Sequence, residues 1–263
     1  MGKQTRSDRE EVKKRAAEER ARQEALDRRR KLAFYVVGGV IILAIAASVG
    51  VAVKNQNSNA GASSGPTPAA ATANNGGIPI GPTVDKAAAS GVPTVDVYED
   101  FQCPACKAFE AQSSTTLQSL ASTGKARVVY HPINLIGSQQ TSEPASSSSL
   151  RAGGAFGCAT TTTDFMKWHD IAFQNQPAEG TGITDDQLVA WGIQAGITDA
   201  AFKSCVVAHT YVGWVHRVDA QSGKKGVSGT PTVYVDGKEL THSPNQYTPA
   251  AITAAVAAAT KTK

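Results

Sequence analysis

The sequence predicts an α/β domain on a mixed central sheet, with a helical insertion, held behind a single N-terminal transmembrane helix. Three observations point there. Leu32 to Val53 (LAFYVVGGVIILAIAASVGVAV) is apolar and uncharged. A strand–helix–strand pattern surrounds Cys103-Pro104-Ala105-Cys106, which suits a parallel pair joined by a crossover. A strand, an Asp-Gly turn and a second strand follow a long block with helical signals only, which adds antiparallel strands.

The 22 residues from Leu32 to Val53 match the roughly 20 apolar residues a helix needs to cross the hydrocarbon layer. Arg28, Arg29, Arg30 and Lys31 precede them and only Lys54 follows closely. The positive-inside rule then puts residues 1–31 in the cytoplasm as a charged tail and everything beyond residue 54 outside it. The same basic cluster suits anionic lipid heads. A cleaved signal peptide is the alternative, with Ala44 and Ala46 as a weak cleavage pattern; its apolar region is normally shorter and its charged lead is not 31 residues long. Both readings export the main domain.

Of the 263 residues, 26 are Lys or Arg and 22 are Asp or Glu. Residues 1–31 hold twelve of those bases and seven of the acids, a net of +5, so the remainder nets −1. The basic character belongs to the tail, and a basic nucleic-acid-binding domain is excluded. Residues 54–90 are Asn, Gly, Ser, Ala and Pro with almost no large apolar side chain before Ile78, which reads as a flexible tether.

The folded domain is expected over 91–263. Val95 and Val97 alternate with Asp96 and Tyr98 in a first strand. Residues 104–122 form a helix opened by Pro104, with Phe109, Leu117 and Leu120 on one face. Ala126 to Ile136 is a second strand, limited by Pro132. The helical insertion spans about 140–224. It includes a capping box at Thr184 and Gln187 ahead of Leu188, Trp191 and Ile193, a short helix over Thr198 to Ala208, and a helix over Tyr211 to Ser222. Trp168, Trp191 and Trp214 fall in this block as core residues. Gly229 to Leu240 is a hairpin about Asp236-Gly237, and Thr248 to Thr260 is a final helix.

Four cysteines are too few for a small disulfide scaffold. Cys103 and Cys106 follow a strand and open a helix, where unpaired backbone N–H groups and the helix dipole favour thiolate. Cys103 is the expected attacking group, exposed; Cys106, one turn in, is shielded and resolves the mixed disulfide. An inert local disulfide is the bland alternative. Zinc would need a second Cys or His pair, and His131, His169, His209, His216 and His242 supply none at ligand spacing. Cys158 and Cys205 are single and 47 residues apart in the helical block. In an oxidising compartment they are expected to pair; two buried free thiols are the alternative.

Tyr98-Glu99-Asp100-Phe101-Gln102-Cys103-Pro104-Ala105-Cys106 and the later Gly229-Thr230-Pro231-Thr232-Val233 resemble the DsbA-like branch of the thioredoxin superfamily, over about residues 92–261. The helical block looks like that branch's insertion, and an N-terminal anchor with a helical-domain disulfide is similar to actinobacterial membrane-anchored members. The resemblance implies a thioredoxin-like fold and a cis bond before Pro231. It also implies that the Thr230 backbone lies beside Cys103, where an extended substrate segment adds as a strand. Ala105 departs from the pattern, because His is common there and adds positive charge near the thiolate. A weaker oxidant or a reductase therefore fits as well.

Glu99 reads either as a buried carboxylate that shuttles a proton for Cys106 or as a solvated strand-end acid. Asp100 reads as a surface or capping residue, and Phe101 and Gln102 as lining a docking surface. The functional expectation is an extracytoplasmic thiol–disulfide oxidoreductase that passes the Cys103–Cys106 disulfide to reduced exported proteins. The resemblance implies reoxidation by a DsbB-type or vitamin K epoxide reductase-like membrane protein. No metal, nucleotide or organic cofactor is indicated. The alternatives are a reductase or isomerase on the same fold, and a non-catalytic envelope binding module.

Overall fold

The computed structural model describes residues 64–72, 76–81, 91–139, 147–178, 180–240 and 247–260. The chain divides into two compact units, 1–54 and 55–263, and every described residue belongs to the second. The expected cytoplasmic tail (1–31) and membrane anchor (32–53) lie outside the described residues. Among the described residues no helix is long and apolar enough to cross a membrane.

The sheet has five strands: β1 (Ile78–Ile80), β2 (Thr94–Glu99), β3 (Arg127–Pro132), β4 (Thr232–Val235) and β5 (Lys238–Glu239), in the spatial order β1-β3-β2-β4-β5. β2 and β3 are parallel, and the other three pairings are antiparallel. The expected parallel pair and mixed sheet are both present. β3 ends at Pro132, four residues short of the expected strand, because proline cannot donate to the ladder. Val95 and Val97 of β2 and Val233 of β4 are fully buried.

One boundary needs correction. Part of the expected tether, residues 54–90, is built into the domain. A short helix, α1 (Ala69–Thr72), precedes β1, which pairs with β3 from Ile78↔Tyr130 to Ile80↔Val128. Ile78 and Ile80 are buried, and Gly76 accepts a hydrogen bond at 2.8 Å from the Trp214 indole. Three residues are too short a run for a strand signal. Pro79 is tolerated because β1 is an edge strand.

The crossover helix α2 (Pro104–Ser122) has Pro104 in its first turn and buries Phe109, Leu117 and Leu120 as expected. The helical block then runs α3 (Leu135–Gln139), α4 (Ser148–Cys158), α5 (Thr162–Gln174), α6 (Asp185–Gln194), α7 (Ala200–Val207) and α8 (Val212–Lys224). It begins at 135 rather than near 140, since Pro132 ends the strand early. Thr184 and Gln187 form the predicted capping box on α6. Ile193, expected on its apolar face, is 61% exposed instead. Trp168, Trp191 and Trp214 are buried, and the Trp168 indole donates to Leu188 O at 3.3 Å. Cys158 and Cys205 are bonded, tying α4 to α7.

The hairpin turns at Asp236 (φ 49°) and Gly237 (φ 77°), the backbone that makes Asp-Gly a two-residue hairpin turn. Asp236 also accepts from Thr94 N at 2.8 Å, fastening the turn to β2. The final helix α9 (Pro249–Thr260) buries Ile252 and Val256.

Two stability outcomes follow. Ile78→Ala, which empties a fully buried site, is expected to cost about 3 kcal/mol in urea unfolding; a cost near zero would return residues 78–80 to the tether. Replacing both Cys158 and Cys205 with Ala, which frees a 47-residue separation, is expected to cost roughly 4 kcal/mol on the loop-entropy account.

Candidate active site

The site lies where β2 hands the chain to α2. Cys103 is the N-cap of α2 (φ −80°, ψ 118°), so its sulfur stands over the helix's first unpaired N–H groups. Cys103 N donates to Asp100 O at 2.9 Å, and Lys107 N donates to Cys103 O at 3.2 Å. Both cysteines are free thiols. Cys106 is fully buried, as expected. Cys103 keeps only a 6% opening, so it is less exposed than expected.

The opening is narrowed by the loop before β4. The Thr230–Pro231 bond is cis, as the resemblance implied. Cys103 Sγ donates to the Thr230 carbonyl at 3.5 Å across 127 residues of sequence. The structure thus brings Cys103, Cys106, Thr230 and Pro231 into one site.

The Cys103 thiol is lowered from its usual range to about 6. The Cys106 thiol as donor is the largest cause. Burial opposes it, and Thr230 and the backbone N–H groups of Cys106 and Ala105 add to the lowering. The helix start therefore contributes as the sequence implied, but the second cysteine does more. No histidine at position 105 is needed for an acidified sulfur. Cys106 is pushed well above its ordinary value, by burial first and then by the charge developing on Cys103. The two sulfurs are thus split into a ready thiolate and a held thiol, the division of labour that exchange requires.

Glu99 is 1% exposed and shares a strand face with Val97, so it is a buried carboxylate and not a solvated strand-end acid. Its Oε1 meets His169 Nε2 of α5 in a buried ion pair. Sequence reasoning did not single out His169 as a partner. Beside them lie Glu110 of α2 and Tyr130 of β3, both buried. Burial would lower His169, but the charge of Glu99, followed by Asp170, holds it up at about 10. Burial and the neighbouring Glu99 push the Glu110 carboxyl well above the usual range. Among the described residues, Glu99, Glu110 and His169 are the group whose donor atoms lie within 4.8 Å of one another, as a metal would require.

Asp100 and Phe101 depart from expectation. Asp100 is fully buried, and its carboxylate accepts from Gln102 N and Ile136 N, both at 2.8 Å. Burial raises it to about 7, against those hydrogen bonds. Phe101 is buried between Phe173 (5.1 Å) and Trp168 (5.3 Å), so it lines the core and no docking surface. Gln102, also buried, accepts from Ser149 Oγ at 2.9 Å. A residue the sequence did not flag, Gln176, donates to Phe101 O at 2.8 Å and Cys103 O at 3.0 Å. It holds the loop before α2 from the far side. A lone glutamine after a helix carries no sequence signal for that task.

An acidified cysteine and a shielded one at a helix start, facing a cis-proline from the same sheet, define a thiol–disulfide oxidoreductase site. The thioredoxin family model matches residues 86–256, and the chain belongs to that family. The disulfide oxidoreductase DsbG of Mycobacterium tuberculosis, in reduced form, is similar at 29% identity and TM-score 0.52, over 62% of this chain and 76% of that one. DsbA of the same organism is 28% identical, with TM-score 0.51 over 65% and 88%. MdbA, a thiol-disulfide oxidoreductase from Actinomyces oris, shares the fold at TM-score 0.55 and 24% identity, over 73% and 99%. No curated protein matches the chain in sequence.

The Cys103 shift has a consequence for stability. A thiol that is more acidic when folded stabilises the native dithiol fully above its unfolded value, near 9, and that contribution disappears as pH falls through about 6. The dithiol protein should gain stability over Cys103→Ala as pH rises from 6 to 9 in urea titrations. Parallel curves for the two would contradict the shift.

Proposed function

We propose that this thiol–disulfide oxidoreductase works as an oxidase on the outer side of a membrane, donating the Cys103–Cys106 disulfide to reduced exported proteins. The observation that carries the direction is the acidified Cys103, lowered to about 6. A stabilised thiolate favours the reduced enzyme, so its disulfide is readily given away. The location rests on the Leu32–Val53 run behind Arg28–Lys31, which anchors the chain in the bilayer. The Cys158–Cys205 bond, of a kind that persists in oxidising compartments, supports it.

The reaction follows from the geometry. A substrate thiolate attacks Cys103 Sγ, and the Cys103–Cys106 bond breaks. Its electron pair leaves on Cys106, which takes up a proton from the Glu99 side. A second substrate thiolate then attacks the substrate sulfur of the mixed disulfide and releases Cys103 as thiolate. The substrate gains a disulfide and loses two electrons, which stay on the enzyme dithiol. The Thr230 backbone beside Cys103 suits an extended substrate added as a strand. The two electrons pass next to a membrane reoxidising partner, of DsbB or vitamin K epoxide reductase type.

The full chain in detergent, oxidised and mixed with a reduced unfolded protein, is expected to consume substrate thiols. Cys103→Ser should lose that activity at least a hundredfold, and Cys106→Ala, mixed instead with a disulfide-bonded protein, should attack that disulfide and accumulate a mixed disulfide on Cys103. Equilibration with glutathione should give a potential above roughly −200 mV. A value near the roughly −270 mV of thioredoxin would make the protein a reductase, and wild-type rates in Cys103→Ser would make it a binding module.

A further inference from the structure

The sheet face opposite Val97 and Glu99 carries a cluster that the exchange chemistry does not use. Asp96 and Tyr98 of β2, His131 of β3 and Tyr234 of β4 meet there, Asp96 beside Tyr234 and Tyr98 beside His131 in the strand register. Tyr98, His131 and Tyr234 are buried. The His131 ring stacks on Tyr98 at 4.3 Å, and its Nε2 meets Asp96 Oδ1 at 2.8 Å. Onto this platform falls Lys225, which caps the C-terminal end of α8. Its Nζ lies 4.3 Å from the centre of the Tyr234 ring and 5.1 Å from that of Tyr98. The same nitrogen donates to Tyr98 OH at 3.1 Å and stands 3.7 Å from Asp96 Oδ2. The Tyr234 hydroxyl donates to the Lys225 carbonyl at 3.5 Å, so one tyrosine holds both ends of the residue.

A lysine at a helix end ordinarily favours the helix dipole and contributes little else. Lys225, with its side chain 36% exposed, is instead fixed by two rings and a carboxylate from two strands. It is also the last residue before the loop 226–230. That loop enters the cis bond at Pro231 and carries the Thr230 carbonyl beside Cys103. Gly226 (φ 91°) and Gly229 give the loop little stiffness of its own. Its far end is fastened by Thr232 Oγ1, which donates to Gly229 O at 2.8 Å. Lys225 fastens the near end.

We infer that Lys225 is a positioning residue for substrate: clamped on Tyr98, Tyr234 and Asp96, it presets the 226–230 loop as the edge on which an extended dithiol segment docks. The inference rests on Cys103 and Cys106 being the exchanging pair and adds what orders the docking edge beside them. Ordering backbone on binding costs free energy for each residue fixed, and a loop fixed beforehand avoids that cost. An extended peptide that pairs with the loop gains from this. A small dithiol that reaches only the sulfur does not.

The test compares wild type, Lys225→Met and Lys225→Arg as oxidised full-length proteins in detergent, in single turnovers with an extended dithiol peptide and with dithiothreitol. Lys225→Met keeps the stem and removes the charge. It is expected to raise the peptide concentration for half-maximal rate about tenfold, and to leave the maximal rate and the dithiothreitol rate within about twofold of wild type. Lys225→Arg, whose cation stacks on the same rings, should restore peptide binding. Lys225→Gln should behave as Lys225→Met, so either variant carries the comparison, and urea unfolding checks that each is folded. An unchanged half-saturating peptide concentration in Lys225→Met and Lys225→Gln would overturn the inference. An equal loss with dithiothreitol would also overturn it, because the effect would then lie on the sulfurs. Absence of reaction of wild type with either dithiol would instead defeat the exchange reading itself.

Discussion

The stabilisation of negative charge on Cys103 Sγ is the constraint from which the rest of the site follows. The sulfur gains it from an adjacent thiol and from backbone N–H groups that a helix leaves unpaired at its start. Each donor is delivered by a different part of the fold. β2 places Cys103 at the first turn of α2, and α2 returns Cys106 one turn later. The cis Thr230–Pro231 loop brings in the Thr230 side chain, which adds to the lowering, from 127 residues away. Gln176, beyond α5, holds the carbonyls of Phe101 and Cys103 so that the loop keeps its shape. The helical block therefore buttresses the active-site turn as well as enlarging the core.

Beneath the sulfurs the protein tolerates something costly. Glu99, Glu110 and His169 are all buried, and isolated charges there would be strongly destabilising. The cost is contained because Glu99 pairs with His169, and burial with the neighbouring Glu99 pushes the Glu110 carboxyl well above its usual range, toward its neutral form. An apolar cluster of the same size would pack as well, so the retention of these groups fits a role in chemistry. Phe101, Phe156 and Phe173 wall the His169 ring, at 5.7, 5.7 and 5.0 Å, and keep water from the Glu99 contact. Asp170 alone of this group reaches the surface.

Much of this was legible in the chain. Hydrophobic alternation and turn residues located β2, α2 and the β4–β5 hairpin, because those signals are local: Val95 and Val97, Pro104, Asp236-Gly237. The cysteine spacing and Gly-Thr-Pro named four members of the site. Non-local features were not legible. β1 is a three-residue edge strand whose stability comes from Tyr130 and Trp214, far along the chain. His169 reads as one polar residue on an amphipathic helix, and only the packing of α5 brings it to Glu99. Asp100 and Phe101 looked like surface residues because neighbours of a reactive cysteine are expected to face substrate. The helical block covers them instead. The largest cause of the Cys103 acidity, the Cys106 thiol, depends on sulfur geometry that spacing only permits.

The most direct test is the rate at which iodoacetamide alkylates Cys103 in the reduced full-length protein as pH is varied. A thiolate lowered to about 6 should give a profile that rises through that value and is flat by pH 7.5. A profile that still climbs at pH 8, like an ordinary thiol of about 8.5, would show that the fold does not acidify this sulfur. The account of its chemistry would then fail.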